Sequence, residues 1–101
     1  MEKSTAHTKL AVVHQLIKEG KVNATKTAFN TAADLNVFTL SEMCKVVSSL
    51  TTKNFKKSMT TYQDHTKWQD VYLVTVNNTE AYVKLMVEEG VLIVSFKESE
   101  S

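Results

Sequence analysis

Between residues 45 and 72 the chain sets five lysines, Lys45, Lys53, Lys56, Lys57 and Lys67, among three aromatic rings, Tyr62, Trp68 and Tyr72, and one histidine, His65. Only Asp64 and Asp70 oppose them, so the segment carries a net charge of +3. Ammonium groups follow a phosphate backbone and aromatic faces take unstacked bases, which is the chemistry of a single-stranded RNA site. The same lysines also suit a strand edge that must repel other edges. Residues 80–101 reverse the sign: Lys84 and Lys97 stand against Glu80, Glu88, Glu89, Glu98 and Glu100, net −3. Over the whole chain of 101 residues, 12 basic residues, all of them lysine, face 11 acidic ones. A formal charge of +1 supplies no overall field to gather nucleic acid, and it leaves room for a local basic site.

Other chemistries find little to stand on. Gly20 and Gly90 are the only glycines, so there is no glycine-rich phosphate loop. His7, His14 and His65 lack carboxylates or cysteines at metal-ligand spacing, and neither a metal nor another cofactor is expected. Ser58 has no nucleophile-elbow context. Asp64 and His65 are adjacent and could pair as orienter and base, but a turn explains them better. Cys44 is alone, which excludes an internal disulfide and reads as a buried structural thiol in a reducing interior. No apolar run approaches the roughly 18–20 residues of a membrane span, and the polar N-terminus has no signal-peptide core. The expectation is a soluble cytoplasmic protein that does not engage membranes.

The elements that position these residues divide by period. From Thr5 to Glu19, Leu10, Val13, Leu16 and Ile17 recur at helical spacing, and Gly20 falls where a left-handed cap belongs. A second helix is expected over Ala24 to Leu35, with Ala28, Phe29, Ala32 and Leu35 on one face. Thr39 and Glu42 make a capping box for a third, carrying Met43, Val46, Val47 and Leu50 inward. After Leu50 the pattern becomes that of strands at 55–62, 71–76, 81–87 and 91–97, rich in β-branched and aromatic residues. Helices first and antiparallel strands after give an α+β fold in one domain, 1–101, with the helices on one sheet face.

Register then decides which side chains meet. A two-residue turn at Glu89-Gly90 makes Val87–Leu92, Leu85–Val94 and Val83–Phe96 an apolar face. The other face pairs Met86–Ile93, Lys84–Ser95 and Tyr82–Lys97, making Tyr82 and Lys97 neighbours away from the helices. The preceding hairpin is open: a two-residue Asn77-Asn78 turn puts Gln69 on the Tyr82 face and turns Asp70 inward, and a three-residue turn reverses both. A bulge near Asp70 would be a compromise.

Three stretches, Lys57-Ser58-Met59-Thr60-Thr61-Tyr62, Asp64-His65-Thr66 and Trp68-Gln69-Asp70-Val71-Tyr72, resemble the signature of the MqsR toxins, bacterial mRNA interferases related in fold to the RelE toxins. The ending Leu92-Ile93-Val94-Ser95-Phe96-Lys97-Glu98 and the opening Glu2-Lys3, Thr5, His7-Thr8 match as well, so the likeness spans essentially the whole chain. The resemblance implies the toxin of a toxin–antitoxin pair, a sequence-selective endoribonuclease that cuts mRNA at GCU-type triplets without the ribosome. It implies a neighbouring zinc-containing antitoxin with a helix-turn-helix domain, and contact with DNA only through that antitoxin. It assigns catalytic positions to Lys57, Gln69, Tyr82 and Lys97.

Metal-free cleavage requires attack by the 2′-hydroxyl, a base for its proton, an acid for the leaving 5′ oxygen and a counter-charge for the phosphorane. On this reading Lys57 is base or phosphate clamp, Lys97 charge stabiliser, Tyr82 acid or orienter and Gln69 substrate positioner. Closely placed lysines depress one another's pKa, which brings an amine into range for proton transfer. Lys56 and Lys84 are further phosphate contacts, and Tyr62, His65 and Trp68 are the RNA-binding groups around them.

Overall fold

In the computed structural model, which describes residues 1–100, strand β1 (Glu2–Lys3) precedes the helical half. There α1 (Leu10–Lys18), α2 (Lys26–Ala32) and α3 (Leu40–Ser48) are interrupted by the short strand β2 (Val22–Ala24). The second half is β3 (Phe55–Thr60), β4 (Trp68–Val76), β5 (Thr79–Val87) and β6 (Val91–Glu98). The six strands form one sheet in the order β1-β3-β4-β5-β6-β2, antiparallel throughout except for β2 on β6. Helical Val13, Ala28, Ala32, Met43 and Val47 are buried over Tyr72, Val83, Leu85, Ile93 and Phe96 of the sheet.

Capping places the helices. Thr39 Oγ1 accepts from Glu42 N at 3.1 Å, while the Glu42 carboxylate reaches back to Phe38 N at 3.1 Å. At the end of α1, Gly20 (φ +76°) donates to Ile17 O at 3.0 Å and Lys21 N donates to Leu16 O at 2.9 Å, closing the expected left-handed cap. Two boundaries differ from expectation. The first helix starts at Leu10 rather than Thr5, because the backbone N–H groups of His7 and Thr8 bind the Asp70 carboxylate at 2.9 Å each. The second starts at Lys26 rather than Ala24, because Val22–Ala24 pairs in parallel with Val91–Ile93, leaving Thr25 as its cap.

The hairpins fix the facing of the site. Asn77 and Asn78 form a two-residue turn with φ of +50° and +67°, the left-handed pair that suits a tight hairpin and that asparagine tolerates. Pairing runs unbroken from Val76–Thr79 to Gln69–Met86, so Gln69 shares the Tyr82 face and Asp70 turns inward with no bulge beside it. Once inside, Asp70 is 5% exposed and held by the two N–H groups. The last hairpin corrects the expected Glu89-Gly90 turn. Its loop is Glu88–Gly90, with Val87 opposite Val91 and Leu85 opposite Ile93. A bulge at Val94 then restores the expected pairs Lys84–Ser95, Val83–Phe96 and Tyr82–Lys97. The cause is β2. Val91 N donates to Lys21 O at 2.9 Å, and a Cβ on Gly90 would stand 2.8 Å from that oxygen. Val91 and Ile93 therefore face the core where Leu92 and Val94 were expected, and the bulge returns Phe96 to it.

Candidate active site

On β3 the register slips at Lys56, which lets Phe55 pack edge-on against Tyr72 inside (71° between rings) while Lys57 and Met59 face outward. Ser58 and Thr60 point inward and are buried. A row of outward residues then crosses the sheet: Lys57 opposite Val71, Val71 opposite Lys84, Lys84 opposite Ser95. The next row holds Leu73, Tyr82 and Lys97, and the row on the other side holds Met59, Gln69 and Met86. Lys57, Gln69, Tyr82, Lys84 and Lys97 thus converge on one face, opposite the helices.

Close spacing changes their chemistry. Two cations approach the Tyr82 ring, with Lys97 Nζ 5.4 Å and Lys84 Nζ 5.8 Å from its centroid. Burial pulls the Lys84 amine below the ordinary lysine value, and the charges of Lys97 and Lys57 push it further the same way. Burial raises the Tyr82 phenol, with Lys57 opposing and Glu2 adding to the rise. Lys57 Nζ is itself 3.0 Å from Glu2 Oε2. Sequence reasoning assigned Glu2 no role, since a two-residue strand has no periodic signature. Its place follows from pairing opposite Met59, which puts it on the lysine face.

Around this centre the structure leaves two hollows. One, about 390 Å³, is lined by Met59, Tyr62, His65, Gln69, Lys84 and Val94, and Tyr62 stands 95% exposed at its rim. The other, about 310 Å³, is lined by Lys56, Lys57, Leu73, Glu80 and Tyr82. Trp68 is not part of the group. Alternation along β4 sends it to the opposite face, where its ring stacks on His7 (centroids 5.6 Å apart) under Lys3 Nζ at 4.0 Å. Asp64 spends its carboxylate on the Thr66 N–H at 2.9 Å and hydroxyl at 2.6 Å, which lowers its pKa and makes a turn rather than a pair with His65. Cys44, expected buried, is half-buried, and desolvation raises its thiol pKa.

A face of lysines around a tyrosine and a glutamine, open to solvent, presents cations and hydrogen-bond donors of the kind that suit an anionic ligand. The family model described as "Motility quorum-sensing regulator, toxin of MqsA" matches residues 5–98. The chain belongs to this MqsR toxin family. It is also 46% identical over 98 residues to the mRNA interferase toxin MqsR of Escherichia coli (strain K12), covering 97% of this chain and 99% of that relative. The α+β fold with helices on one sheet face is as expected from the order of helical and strand patterns in the sequence. Among the described residues no three His, Cys, Asp or Glu side chains are grouped to hold a metal ion. No helix among them is long and apolar enough to cross a membrane.

Proposed function

We propose that this chain is a toxin endoribonuclease, an mRNA interferase, whose outward sheet face binds and cuts RNA. The observation that carries this reading is the grouping of Lys57, Lys84 and Lys97 around Tyr82, with Gln69 one row away. Cleavage then runs without metal, with side chains supplying the acid, the counter-charge and the positioning groups. Lys57 and Lys97 clamp the scissile phosphate and offset the charge of the phosphorane. Lys84, a stronger acid than a free lysine because of its burial and its cationic neighbours, protonates the leaving 5′ oxygen. Tyr82 keeps its proton and orients the phosphate through its hydroxyl. Gln69 positions the substrate beside the hollow at Tyr62 and His65, where bases stack or hydrogen-bond. Lys56 lies further along the phosphate path.

The finer reading follows the family resemblance: selective cleavage at GCU-type triplets, without the ribosome, in the cytoplasm. A toxin of this family implies an antitoxin, here proposed as a zinc-containing protein with a helix-turn-helix domain that carries the complex to DNA. Incubating pure protein with a GCU-containing RNA oligonucleotide in EDTA tests the reading. Cleavage at that triplet supports it. RNA that is bound and left intact supports a non-catalytic module, and cleavage that EDTA abolishes supports a metallohydrolase.

A further inference from the structure

The lysine face contains one carboxylate engaged with a lysine, and its position suggests a use. Glu2 is held there by backbone pairing, opposite Met59, with Thr60 N donating to Met1 O at 3.0 Å beside it. Its side chain crosses to Lys57 and is more than half exposed, so it is free to turn toward a bound ligand. We propose that Glu2 is the general base of cleavage, taking the 2′-hydroxyl proton while Lys57 beside it holds the phosphate. This rests on the endoribonuclease reading and goes beyond it by replacing lysine as the base.

The other groups of the face are poor bases. A lysine ammonium has no free electron pair, and loss of its proton would remove the charge that binds phosphate. Burial disfavours the Tyr82 phenolate. The Glu2 carboxylate spends one oxygen on Lys57 at 3.0 Å and keeps acceptor lone pairs to spare. A phosphate oxygen seated on Lys57 Nζ brings the neighbouring ribose, and its 2′-hydroxyl, next to Glu2. The proton passes from O2′ to the Glu2 carboxylate as the O2′–P bond forms. The P–O5′ bond breaks, and O5′ receives a proton from Lys84. The products are a 2′,3′-cyclic phosphate and a 5′-hydroxyl end, and solvent restores both side chains. Of the ionisable groups near Glu2, Lys57 from β3 pairs with it and Tyr82 from β5 feels its charge, Lys84 from β5 and Lys97 from β6 stand on the same face, and the adjacent Met1 ammonium donates to Thr60 Oγ1 at 3.3 Å.

Single-turnover cleavage of a GCU oligonucleotide by the full chain tests the assignment, with Glu2→Gln, Glu2→Asp and Glu19→Gln compared with the parent. Glu2→Gln should slow cleavage by about 10²–10⁴-fold and leave oligonucleotide affinity within about threefold. Glu2→Asp should recover part of the rate, and Glu19→Gln, which removes a lysine-paired carboxylate at the end of α1, should match the parent. Replacing the leaving 5′ oxygen by sulfur removes the need for an acid. The Glu2→Gln defect should persist on that substrate while a Lys84→Met defect shrinks. Glu2→Gln cleaving at the parent rate, or binding RNA more tightly with no loss of rate, would mean the carboxylate only occupies the phosphate's place, and the proposal falls. A parent protein that cleaves nothing overturns the endoribonuclease reading instead.

Discussion

Along β5, Ala81, Val83 and Leu85 point into the helical layer, while Tyr82, Lys84 and Met86 point out of it. The inward residues are at most 2% exposed and surrounded by Ala28, Met43, Val47 and Phe96. The outward ones hold cations close together at half-buried positions, an arrangement that costs stability through repulsion and desolvation. One set of strands thus separates the work. The inner face supplies the burial that sets the backbone, and the backbone sets the spacing of lysines that local interactions alone would drive apart. Changes on the outer face should therefore cost activity without stability, and changes on the inner face the reverse.

The largest effect expected is on the outer face. Tyr82→Phe and Lys97→Met should each lower the single-turnover cleavage rate by about 10²–10⁴-fold, with the thermal midpoint shifted by no more than about 2 °C. On the inner face, Phe96→Ala should destabilise by about 3–5 kcal/mol in urea unfolding. Under conditions where that variant remains folded, its cleavage rate should stay near that of the parent. Asp70 tests where the separation fails. It is inward-facing, yet its carboxylate holds residues 7 and 8 and so steadies the strand that carries Glu2. Asp70→Ala should destabilise by about 2–3 kcal/mol and also slow cleavage, measured by urea unfolding and single-turnover kinetics.

The smallest effect is one of pH on the inner face. Burial, with a lesser push from the Asp70 charge, moves the Tyr72 phenol from an ordinary value of 10 up to about 12. The folded chain therefore keeps this proton where the unfolded chain has lost it. The resulting stability is whole below pH 10 and drains away as pH rises toward 12. It amounts to at most about 2–3 kcal/mol. Urea midpoints between pH 9 and 12 should fall more steeply for the parent than for Tyr72→Phe, in which no phenol titrates.

The sequence carried its local signals well and its long-range ones poorly. The Thr39–Glu42 cap and the glycine after α1 are set by residues a few positions apart, whereas the Tyr82–Lys97 pairing arises because the Val94 bulge offsets a loop one residue longer than the expected turn. The two edge strands are two and three residues long, too short to show a period, and exist only because β3 and β6 pair with them. The bulges at Lys56 and Val94 have the same kind of origin: distant partners hold one strand while its neighbour continues. Asp70 looked mispatterned because its partners lie more than sixty residues earlier. For the site, the resemblance of the KSMTTY and WQDVY blocks to the family signature brought out Lys57 and Gln69, but whether Gln69 shared the lysine face depended on the Asn77-Asn78 turn. Trp68 shared the composition of the site without sharing its face.

The triple variant Lys57→Ala, Tyr82→Ala, Lys97→Ala, measured for both RNA cleavage and thermal unfolding, bears most directly on the claim that the outward face is the cleaving one. The account predicts no detectable cut at the GCU triplet together with a single cooperative transition within a few degrees of the parent. A triple variant that still cleaves at the parent rate would contradict it.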